Sequence, residues 1–554
     1  AKDLSNASVT SLDEALQKLT PSFSSMTNGM GTTLSLNGLP DDYFIFLENG
    51  KRLYGDDTYA RINVAKIKRI EILNGASSAL YGTNAIGGVI NIITDDVKNA
   101  INVSSDTRYA SKGRFTQSVN IDVNTGKFGS YTSYRRQQAE GWQLNPYEEN
   151  SKTHELEETG KVASTGFYAN TVNQKFTFDA TDKLSFYARG GYYDNKTRRP
   201  YEAYDYNILH ETFNYGIGAQ YMINKGNYIT ADCYADHFSS SYCFFKDNKT
   251  YNGKAGEEQV RKRTRNHNLS IKGIFKLGNR HKLSVGTEYI VDVLKSQTDN
   301  IAKEDAYTLA LFAQDEIKLL RNLQALIGVR YIYHENFKNH ATPNVALMYK
   351  PGKFNFRASY AAGFRTPTLS ELYATDIAKK NDRLTIGNLD LKPEKNNYFS
   401  LSAEYVHERF SVSVNAFYNN IRDMIDYNTI ATGDKAMEQY GHKEVRQRDN
   451  IAEAKVHGIN VSANAYLGAG FNLSGGYTHL NTQDVELEQP IDKSIKNAYN
   501  INAQWAHSWK IYRLNINLNG RFNSKRFSKS YGYAPEYQLW DLNTRHSFNL
   551  KSVI

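Results

Sequence analysis

Hydrophobic and polar residues alternate along most of this chain with a period of two. In the segment 513–522, Leu514, Ile516 and Leu518 alternate with charged and amide side chains, and the segment 410–416 shows the same pattern. Successive side chains of a strand point to opposite faces, so each segment predicts a β-strand with one apolar face. A soluble β-sandwich and a transmembrane β-barrel both produce this alternation, so the pattern alone leaves both open.

The number of such segments favours a barrel. From about Ile101 onward, roughly 450 residues alternate in this way, and at roughly 20 residues per strand and connection they give about 22 antiparallel strands. A barrel of that size has a lumen wide enough to hold a plug. Tight breaks predict short hairpins at 224–226, 277–279 and 351–352. Long polar stretches predict loops around 141–160, 195–211, 246–262, 374–388, 428–450 and 481–496.

The first 98 residues have a different texture. Apolar residues recur at helical spacing from Leu12 to Leu19, with Ser11 as a plausible N-cap and Pro21 beyond the end. Short apolar strands follow, including Tyr43 to Leu47. These features predict a compact α+β unit over residues 1–98, followed by a β-rich domain over 99–554.

Residues 67–94 form the most specific motif, IKRIEILNGASSALYGTNAIGGVINIIT. Two apolar strands, Ile67 to Leu73 and Val89 to Ile93, flank glycines that permit tight turns. The string is similar to the plug-domain signature of TonB-dependent outer-membrane receptors. The resemblance implies a transmembrane β-barrel of about 22 antiparallel strands with an N-terminal α+β plug inside its lumen.

Further segments resemble barrel motifs of the same receptors and follow the family's order: Gly363 to Tyr373, Asn388 to Glu394, Asn450 to Ile459 and Tyr537 to Asn543. The resemblance implies an outer-membrane location in contact with lipid bilayer and lipopolysaccharide. It also implies the TonB protein of the inner-membrane energising complex as a partner and a large metal chelate as ligand. A surface-exposed lipoprotein partner stays open.

The chain departs from the family pattern at several positions. Asn37 stands where relatives usually have Arg, and Ala76 where they have Pro. Arg69 and Glu71 keep a charged pair that in relatives belongs to a buried ionic cluster between plug and barrel, so barrel-wall charges are expected to meet them. Both ends of the sequence are expected to be incomplete, lacking the TonB-box-like segment at the N-terminus and the closing strands at the C-terminus.

Composition agrees with a barrel. Aromatic residues reach 13%, with 40 Tyr, while the mean hydropathy is −0.60. The sequence contains no apolar run of about 18 residues, the length of a spanning helix. The net charge of +9 is spread along strand-like segments, which disfavours nucleic acid as a partner. Cys233 and Cys243 are expected to be free thiols on one strand, with pairing across a folded loop left open.

Enzyme motifs are missing from the sequence, so no catalytic residue, resident metal site or cofactor is predicted. His334, Glu335 and His340 miss the spacing of a zinc-protease helix. Haem receptors of this family commonly present a histidine from the plug, but the first histidine here is His154. Haem is therefore disfavoured, although the loop histidines His210 and His442 keep it open.

The ligand is expected between plug loops and barrel loops at the extracellular mouth. A cluster of Tyr and Arg suits an anionic or flat chelate, through charge-assisted bonds and stacking. A ferric siderophore or other iron chelate is the preferred substrate, followed by cobalamin and then haem. Two other classes of protein rank lower still: a glycan importer that works with a lipoprotein lid and, last, a passive porin-like channel. The predicted ligand contacts are Asn28, Thr32, Asp56, Asp57, Tyr59, Arg61, Tyr81, Thr83, Asn84, Arg198, Arg199, Tyr201, Tyr204 and Tyr206.

Overall fold

A small α+β domain and a large closed β-barrel make up the computed structural model of the chain. Residues 95–99, which join the two, lie outside the described part of the chain, so the predicted boundary near residue 98 stays a prediction. The structure describes residues 9–28, 31–76, 82–94, 100–142, 147–150, 153–158, 165–199, 204–378, 382–529 and 532–548.

The N-terminal domain combines one helix with two small sheets. Helix α1 spans Leu12–Leu19, and the backbone N–H of Glu14 donates to the Ser11 hydroxyl, as the sequence predicts for an N-cap. One sheet has the order β1-β2-β3 and the other β5-β4-β7-β6. The strands are β1 Phe23–Asn28, β2 Gly31–Leu36, β3 Leu39–Pro40, β4 Phe44–Glu48, β5 Lys51–Arg52, β6 Ile67–Asn74 and β7 Gly88–Thr94, with 3-10 turns at Asp41–Tyr43, Thr58–Arg61 and Val64–Lys66.

The core of this domain lies between α1 and the two sheets. Leu12, Phe23 and Ile90 are fully buried in one continuous apolar cluster. Asn37, the departure noted in the sequence, occupies the left-handed region at φ 50° in the turn between β2 and β3, and its side-chain amide donates to Asn74 at 3.0 Å. Asn tolerates this backbone conformation better than most residues, which gives Asn37 a local structural reason.

The barrel wall consists of antiparallel strands, and among the described residues the closed sheet contains 22 strands. Two of these, β23 (Thr375–Ala378) and β24 (Arg383–Ile386), are short loop strands, because β22 (Phe354–Arg365) pairs directly with β25 (Glu394–Val406). The expectation of missing closing strands is wrong for the described sheet, in which the last strand, β33 (Tyr537–Phe548), and the first, β8 (Ile101–Ala110), are neighbours.

The wall and loop strands are listed here with their bounds: β8 Ile101–Ala110, β9 Arg114–Asn124, β10 Phe128–Ala139, β11 Tyr147–Glu149, β12 Leu156–Glu158, β13 Gly166–Asp179, β14 Leu184–Arg198, β15 Tyr206–Asn224, β16 Asn227–Phe244, β17 Glu258–Leu277, β18 His281–Ser296, β19 Ile301–Leu320, β20 Leu323–His334, β21 Lys338–Tyr349, β22 Phe354–Arg365, β23 Thr375–Ala378, β24 Arg383–Ile386, β25 Glu394–Val406, β26 Phe410–Thr432, β27 Glu444–Gly468, β28 Phe471–Asp484, β29 Asn497–Ser508, β30 Tyr512–Asn523, β31 Arg526–Ser528, β32 Gly532–Ala534 and β33 Tyr537–Phe548. Two short helices, α2 Leu369–Tyr373 and α3 Gly433–Tyr440, lie in long connections.

Long connections lie at one end of the barrel, here called the loop end, and tight hairpins at the other, the turn end. The predicted hairpins at 224–226, 277–279 and 351–352 all lie at the turn end. Several predicted loops are partly strand instead: β26 and β27 have 23 and 25 residues and take up much of 428–450. About ten residues suffice to cross a bilayer, so these strands continue well beyond it at the loop end.

The faces of the wall follow the alternation read from the sequence. On β30, Asn515, Asn517 and Asn519 are buried against the interior, whereas Leu514, Ile516 and Leu518 lie on the outward face. Cys233 and Cys243 both lie on β16 as free thiols, as expected. None of the helices described is long and apolar enough to cross a membrane.

Candidate functional site

A buried ion pair anchors the N-terminal domain to the barrel wall. Arg61 Nη1 donates to both carboxylate oxygens of Asp236 on β16, at 3.0 and 2.9 Å, and both side chains are almost fully buried. The backbone N–H of Tyr54 donates to the same carboxylate at 3.0 Å. Arg61 is one of the predicted ligand contacts, and that role is wrong here because its guanidinium is taken up by Asp236 and the Tyr54 carbonyl.

Three further ion pairs join the two units nearer the turn end. Lys66 Nζ lies 2.9 Å from Asp122 Oδ2 on β9, and Glu48 lies 3.5 Å from Arg189 on β14. Lys51 pairs with Asp232 on β16. These contacts approach the domain from different strands, so they fix its position within the lumen.

The predicted ionic cluster at Arg69 and Glu71 is wrong. Arg69 Nε donates to Glu71 Oε1 at 2.7 Å, and the two side chains are 55% and 37% exposed. Glu71 also accepts a hydrogen bond from Asn91 at 2.9 Å. Both charges lie on β6, an edge strand, where they pair with each other and are hydrated by solvent. They therefore do not need a counter-charge from the described part of the barrel wall.

Two aspartates form part of the apex of the domain, facing the loop end. Asp57 Oδ2 lies 2.6 Å from His210 Nδ1 on β15 and accepts from Asn195 at 3.4 Å. Burial alone would raise the pKa of Asp57, but these hydrogen bonds and the charge of His210 hold it below its usual value. Asp56 is half exposed and lies 3.5 Å from Lys262 Nζ on β17.

A buried cluster links the apex to the motif at 363–373. Arg365 Nη1 and Nη2 donate to the two carboxylate oxygens of Glu371 at 3.0 Å each, and Nη2 also donates to Glu394 at 2.5 Å. Tyr43 of the N-terminal domain donates its hydroxyl to Glu394 at 3.2 Å. Burial, and then the charge of Glu394, raise the pKa of Tyr43 well above its usual value, so the hydroxyl keeps its proton.

Thr83 and Asn84 contact the barrel near the same motif. The backbone N–H of Thr366 donates to the Thr83 hydroxyl at 3.1 Å, and the N–H of Asn84 donates to the Phe364 carbonyl at 3.3 Å. Arg52 donates to the Thr83 carbonyl at 3.0 Å. These two predicted ligand contacts therefore join the domain to the barrel, at a point next to the Arg365 cluster.

Arginines and tyrosines meet at the loop end, on the inner side of the wall. Arg199 lies 4.3 Å from the ring centroid of Tyr204 and 5.0 Å from that of Tyr206. The rings of Tyr206 and Tyr242 stack at 4.0 Å. Arg261 lies 5.2 Å from the Tyr242 ring and 5.0 Å from that of Tyr251. We call this the rim cluster: Arg199, Tyr204, Tyr206, Tyr242, Tyr251 and Arg261.

The rim cluster contains three of the predicted ligand residues, Arg199, Tyr204 and Tyr206. Arg198 is separated from it, because its side chain is exposed and lies over the Tyr168 ring at 5.3 Å on the adjacent strand β13. The other members, Tyr242, Tyr251 and Arg261, are not among the predicted ligand contacts. Alternation along β16 places Tyr242 on the same inward face as Asp236, so this one residue could have been found, but its register with β15 depends on an irregularity between Met222 and Asn224.

The remaining predicted contacts are less informative. The backbone of Asn28 pairs with Gly31 in the β1–β2 hairpin. Tyr59 packs against the core of the N-terminal domain, and burial raises its pKa while Thr32 forms a side-chain hydrogen bond with it. Tyr81 and Tyr201 lie outside the described residues. Among the residues that are described, no three His, Cys, Asp or Glu side chains come together as metal ligands.

A polar cavity lies on the opposite side of the domain, toward the turn end. Its volume is about 790 Å³, and it is bounded by residues 19–22 and by strands β26 to β30. Its wall is rich in uncharged polar groups, including Ser413, Asn460 and Asn502. Glu408 and Arg409 also line it, so a hydrophilic solute passing between domain and wall would meet amides, hydroxyls and these two charged side chains.

Comparison with known proteins agrees with this architecture. The family model described as "TonB dependent receptor-like, beta-barrel" matches residues 113–553, and the "TonB-dependent Receptor Plug Domain" matches residues 1–89. A structure of the ferric enterobactin receptor PfeA, crystallised with BCV-L6, is 15% identical, with a TM-score of 0.82 over 99% of this chain and 91% of that chain. The siderophore receptor PirA from Acinetobacter baumannii is 15% identical, with a TM-score of 0.79 over 98% and 90%. The FrpB iron transporter from Neisseria meningitidis is 14% identical, with a TM-score of 0.78 over 97% and 90%.

A plug held by ion pairs inside a closed β-barrel defines an outer-membrane receptor. This chain belongs to the family of TonB-dependent receptors, since the barrel model alone covers well over half of it. The N-terminal domain is the plug, the loop end is extracellular and the turn end periplasmic. The predicted fold, the family and the outer-membrane location are confirmed, and the family implies TonB and a transported ligand as partners.

Ile516→Arg tests which face of β30 meets lipid. We expect the substitution to destabilise the folded receptor by about 2–4 kcal/mol, because a guanidinium at the depth of the bilayer midplane loses its hydration. The free energy of unfolding in lipid vesicles measures this cost. Leu514→Arg, on the same outward face of β30 but nearer its periplasmic end, is the control and should cost no more than about 1 kcal/mol. Equal stability of Ile516→Arg and the parent would contradict the assignment.

Proposed function

We propose that this receptor imports a ferric siderophore or another anionic iron chelate across the outer membrane, using energy delivered through TonB. The observation that carries the proposal is the rim cluster, in which two guanidinium groups and four phenol rings line the inner side of the extracellular mouth. Guanidinium groups bind anionic oxygens, and phenol rings stack on the flat ring systems of many chelators. No covalent chemistry is involved, so we propose a transporter without enzymatic activity.

Cobalamin is the second candidate, because stacked phenol rings such as Tyr206 and Tyr242 also suit a large neutral ligand. Haem ranks below it, because residues 1–98 contain no histidine and the ring of the barrel residue His210 is already engaged by Asp57. A passive channel is the weakest candidate, because the plug occupies the lumen and is fixed by several ion pairs.

Arg199→Ala tests the proposed ligand site. We expect at least about a tenfold loss of affinity for a ferric tris-catecholate, because a charge-assisted hydrogen bond contributes roughly 1.5–3 kcal/mol. The affinity is measured by equilibrium titration of the purified receptor, with tryptophan fluorescence as the signal. A ferric hydroxamate, haem and cyanocobalamin are titrated in parallel with the ferric tris-catecholate. Arg198→Ala removes the same charge from the outward side and is the matched control.

The outcome separates the candidates. Loss of ferric-chelate binding in Arg199→Ala alone, together with weaker capture at high salt, supports the proposal. Tight cyanocobalamin binding that ignores both the substitution and the salt concentration makes the protein a vitamin receptor. Equal effects of Arg198→Ala and Arg199→Ala contradict the assignment of the rim cluster as the site.

Asp41 gives the proposed binding a pH dependence. It reaches solvent at the plug apex, but limited solvation among the surrounding protein, and next the carboxylate of Asp42, raise its pKa to about 6. Asp41 is therefore mostly charged at pH 7 and mostly neutral at pH 5. We expect anionic chelates to bind several-fold more tightly at pH 5 than at pH 7, with Asp41→Asn removing most of the difference. A ligand affinity that is unchanged or weaker at pH 5 in the parent contradicts this prediction.

Other partners follow from the location. We propose that the outward face contacts lipid and lipopolysaccharide. A surface lipoprotein that caps the mouth stays a proposal without a described contact surface to support it, and pull-down with the parent receptor from outer membranes tests it.

A further inference from the structure

Three phenol groups of the rim cluster converge on one another. Tyr206 begins β15, Tyr242 lies near the end of β16, and Tyr251 lies in the connection between β16 and β17. The ring centroids of Tyr206 and Tyr242 are 4.0 Å apart, and the Tyr251 ring lies 5.7 and 5.2 Å from them, respectively. Each hydroxyl has a side-chain hydrogen-bonding interaction with the other two. We call these three residues the phenol triad, and its three oxygens lie side by side.

The loop that carries Tyr251 is tied to the strand that carries Tyr206. The backbone N–H of Tyr251 donates to Asn248 Oδ1 at 2.9 Å, and Asn248 Nδ2 donates to Asp205 Oδ2 at 2.8 Å. Asn248 and Gly253 also exchange two backbone hydrogen bonds, at 2.8 and 3.0 Å. Because Asp205 directly precedes Tyr206 in the chain, these contacts hold the triad together, as a preorganised ligand site requires.

The surroundings of the triad are basic. Arg199 faces it from the end of β14 and Arg261 from β17, and the positive charge of each guanidinium group favours an ionised phenol. Tyr204 lies against Arg199 on the same side, and the carboxylate of Asp205 is engaged by Asn248. Burial nevertheless raises the pKa of each of the three phenols, so their hydroxyls keep their protons at pH 7 until a ligand displaces them.

This set of groups suits a ferric ion. Fe³⁺ is a small, hard ion of high charge, and phenolate is a hard, anionic oxygen donor, so the two match in ligand preference. Metal–oxygen bonds of about 2 Å place neighbouring ligand oxygens of an octahedral ion roughly 2.8 Å apart, which is also a hydrogen-bonding distance between hydroxyls. Oxygens that already interact with one another therefore need to move little to become ligands of one metal ion.

We propose that the phenol triad takes the ferric ion itself from an incoming chelate, while Arg199 and Arg261 hold an oxygen anion such as carbonate that completes the coordination of the iron. Three phenol O–H bonds break and three iron–oxygen bonds form. The three protons go to solvent, and the displaced donor atoms leave with the chelator. No electron is transferred, so the iron stays ferric. The inference rests on the proposed function, because the guanidinium groups must first attract an anionic iron chelate.

The chemistry of the exchange defines which chelates can deliver iron. A weak carboxylate complex that leaves positions of the metal open can exchange its donors for the phenols. A tris-catecholate that fills every position keeps its iron, although the guanidinium groups can still capture the intact complex. The triad therefore adds a class of ligand to the rim cluster, namely weak ferric carboxylates that give up their iron at the mouth of the barrel.

The test titrates the full receptor, purified in non-ionic detergent in a bicarbonate buffer, with ferric nitrilotriacetate. We expect a visible phenolate-to-iron charge-transfer band in the parent, with nitrilotriacetate recovered free after filtration. The double variant Tyr206→Phe, Tyr242→Phe keeps both rings and removes two of the oxygens. It should abolish the band and weaken iron binding at least about a hundredfold, since even the loss of an outer-shell contact to a metal ligand costs about 10–100-fold. The double variant should still capture the ferric tris-catecholate through its two arginines, which shows that it is folded.

Tyr427→Phe is the matched control. This phenol also lies against a guanidinium group, with Arg448 3.7 Å from its ring centroid, but it lies on β26, outside the triad. Its replacement should leave the band and the iron affinity unchanged. The band should also grow as the pH rises, because each phenol must release its proton to bind iron. Capture of an intact chelate above Asp41 has the opposite pH dependence, so the two steps can be measured separately.

The outcomes separate this inference from the proposed function. Retention of iron together with nitrilotriacetate, and without the band, would overturn iron transfer and leave the import of an intact chelate standing. Equal loss of the band in Tyr427→Phe would remove the triad as its source. If the parent binds neither iron from ferric nitrilotriacetate nor any intact ferric chelate, both the inference and the proposed function are wrong.

Discussion

Asp236→Ala is expected to destabilise the docked plug by about 3–5 kcal/mol, because it leaves a guanidinium buried without its counter-charge. Arg61 and Asp236 are 6% and 4% exposed, and Asp236 also accepts from the Tyr54 backbone. The plug, and not the barrel, should respond. The effect is measured as the urea concentration at which the plug unfolds. A fluorophore attached to the plug through Ala65→Cys reports the unfolding, and Cys233→Ser and Cys243→Ser remove the two native thiols so that only this site is labelled.

The controls distinguish a buried pair from charge in general. Glu316→Ala breaks the exposed pair with Lys282, whose side chains are 47% and 43% exposed, and should change stability by less than about 1 kcal/mol. Replacing both members of the buried pair, as Arg61→Met with Asp236→Leu, should recover much of the loss, because no charge is then left unpaired. A single Asp236→Ala variant as stable as the parent would show that this pair does not anchor the plug.

The fold was largely predictable because its determinants are local. Alternation fixes which residues of β30 face outward, and the tight turns fix where β15 and β16 reverse. Helix α1 begins after Ser11 as its capping and period predict. The predicted loops were too long because strands continue beyond the membrane at the loop end. The polar residues at the start of β27, for example, still pair with β26 there although their sequence lacks an apolar face.

The site was less predictable because its contacts join distant parts of the chain. Arg61 and Asp236 are 175 residues apart, so no pattern in either segment announces the pair. The motif around Arg69 marks the plug correctly, yet in this chain its charges are satisfied on an exposed edge strand. Arg199, Tyr204 and Tyr206 were found because they are neighbours in sequence, whereas Arg261 joins them only through the pairing of three strands.

Arg365→Ala should have an effect of similar size at the extracellular end of the plug. It would leave Glu371 and Glu394 buried without their shared cation, which costs roughly 3–5 kcal/mol. Glu394 holds the Tyr43 hydroxyl, so the loss should reach the plug. We expect faster amide hydrogen exchange both in α2 and in plug strand β4, measured by mass spectrometry on the intact receptor. Arg365→Lys should be intermediate, since an ammonium keeps the charge but cannot donate as a two-pronged fork.

Thr368→Ala separates the coupling from a local effect. Thr368 and Glu371 form a capping box at the start of α2, and its loss should cost about 0.5–2 kcal/mol there. This variant leaves Arg365, Glu394 and Tyr43 in place, so exchange should accelerate in α2 alone. If Arg365→Ala also leaves the exchange of β4 unchanged, the cluster stabilises only the extracellular loop. If β4 responds to Arg365→Ala and not to Thr368→Ala, the buried cluster connects that loop to the plug, which provides a physical route from the extracellular mouth to the domain that must move during transport.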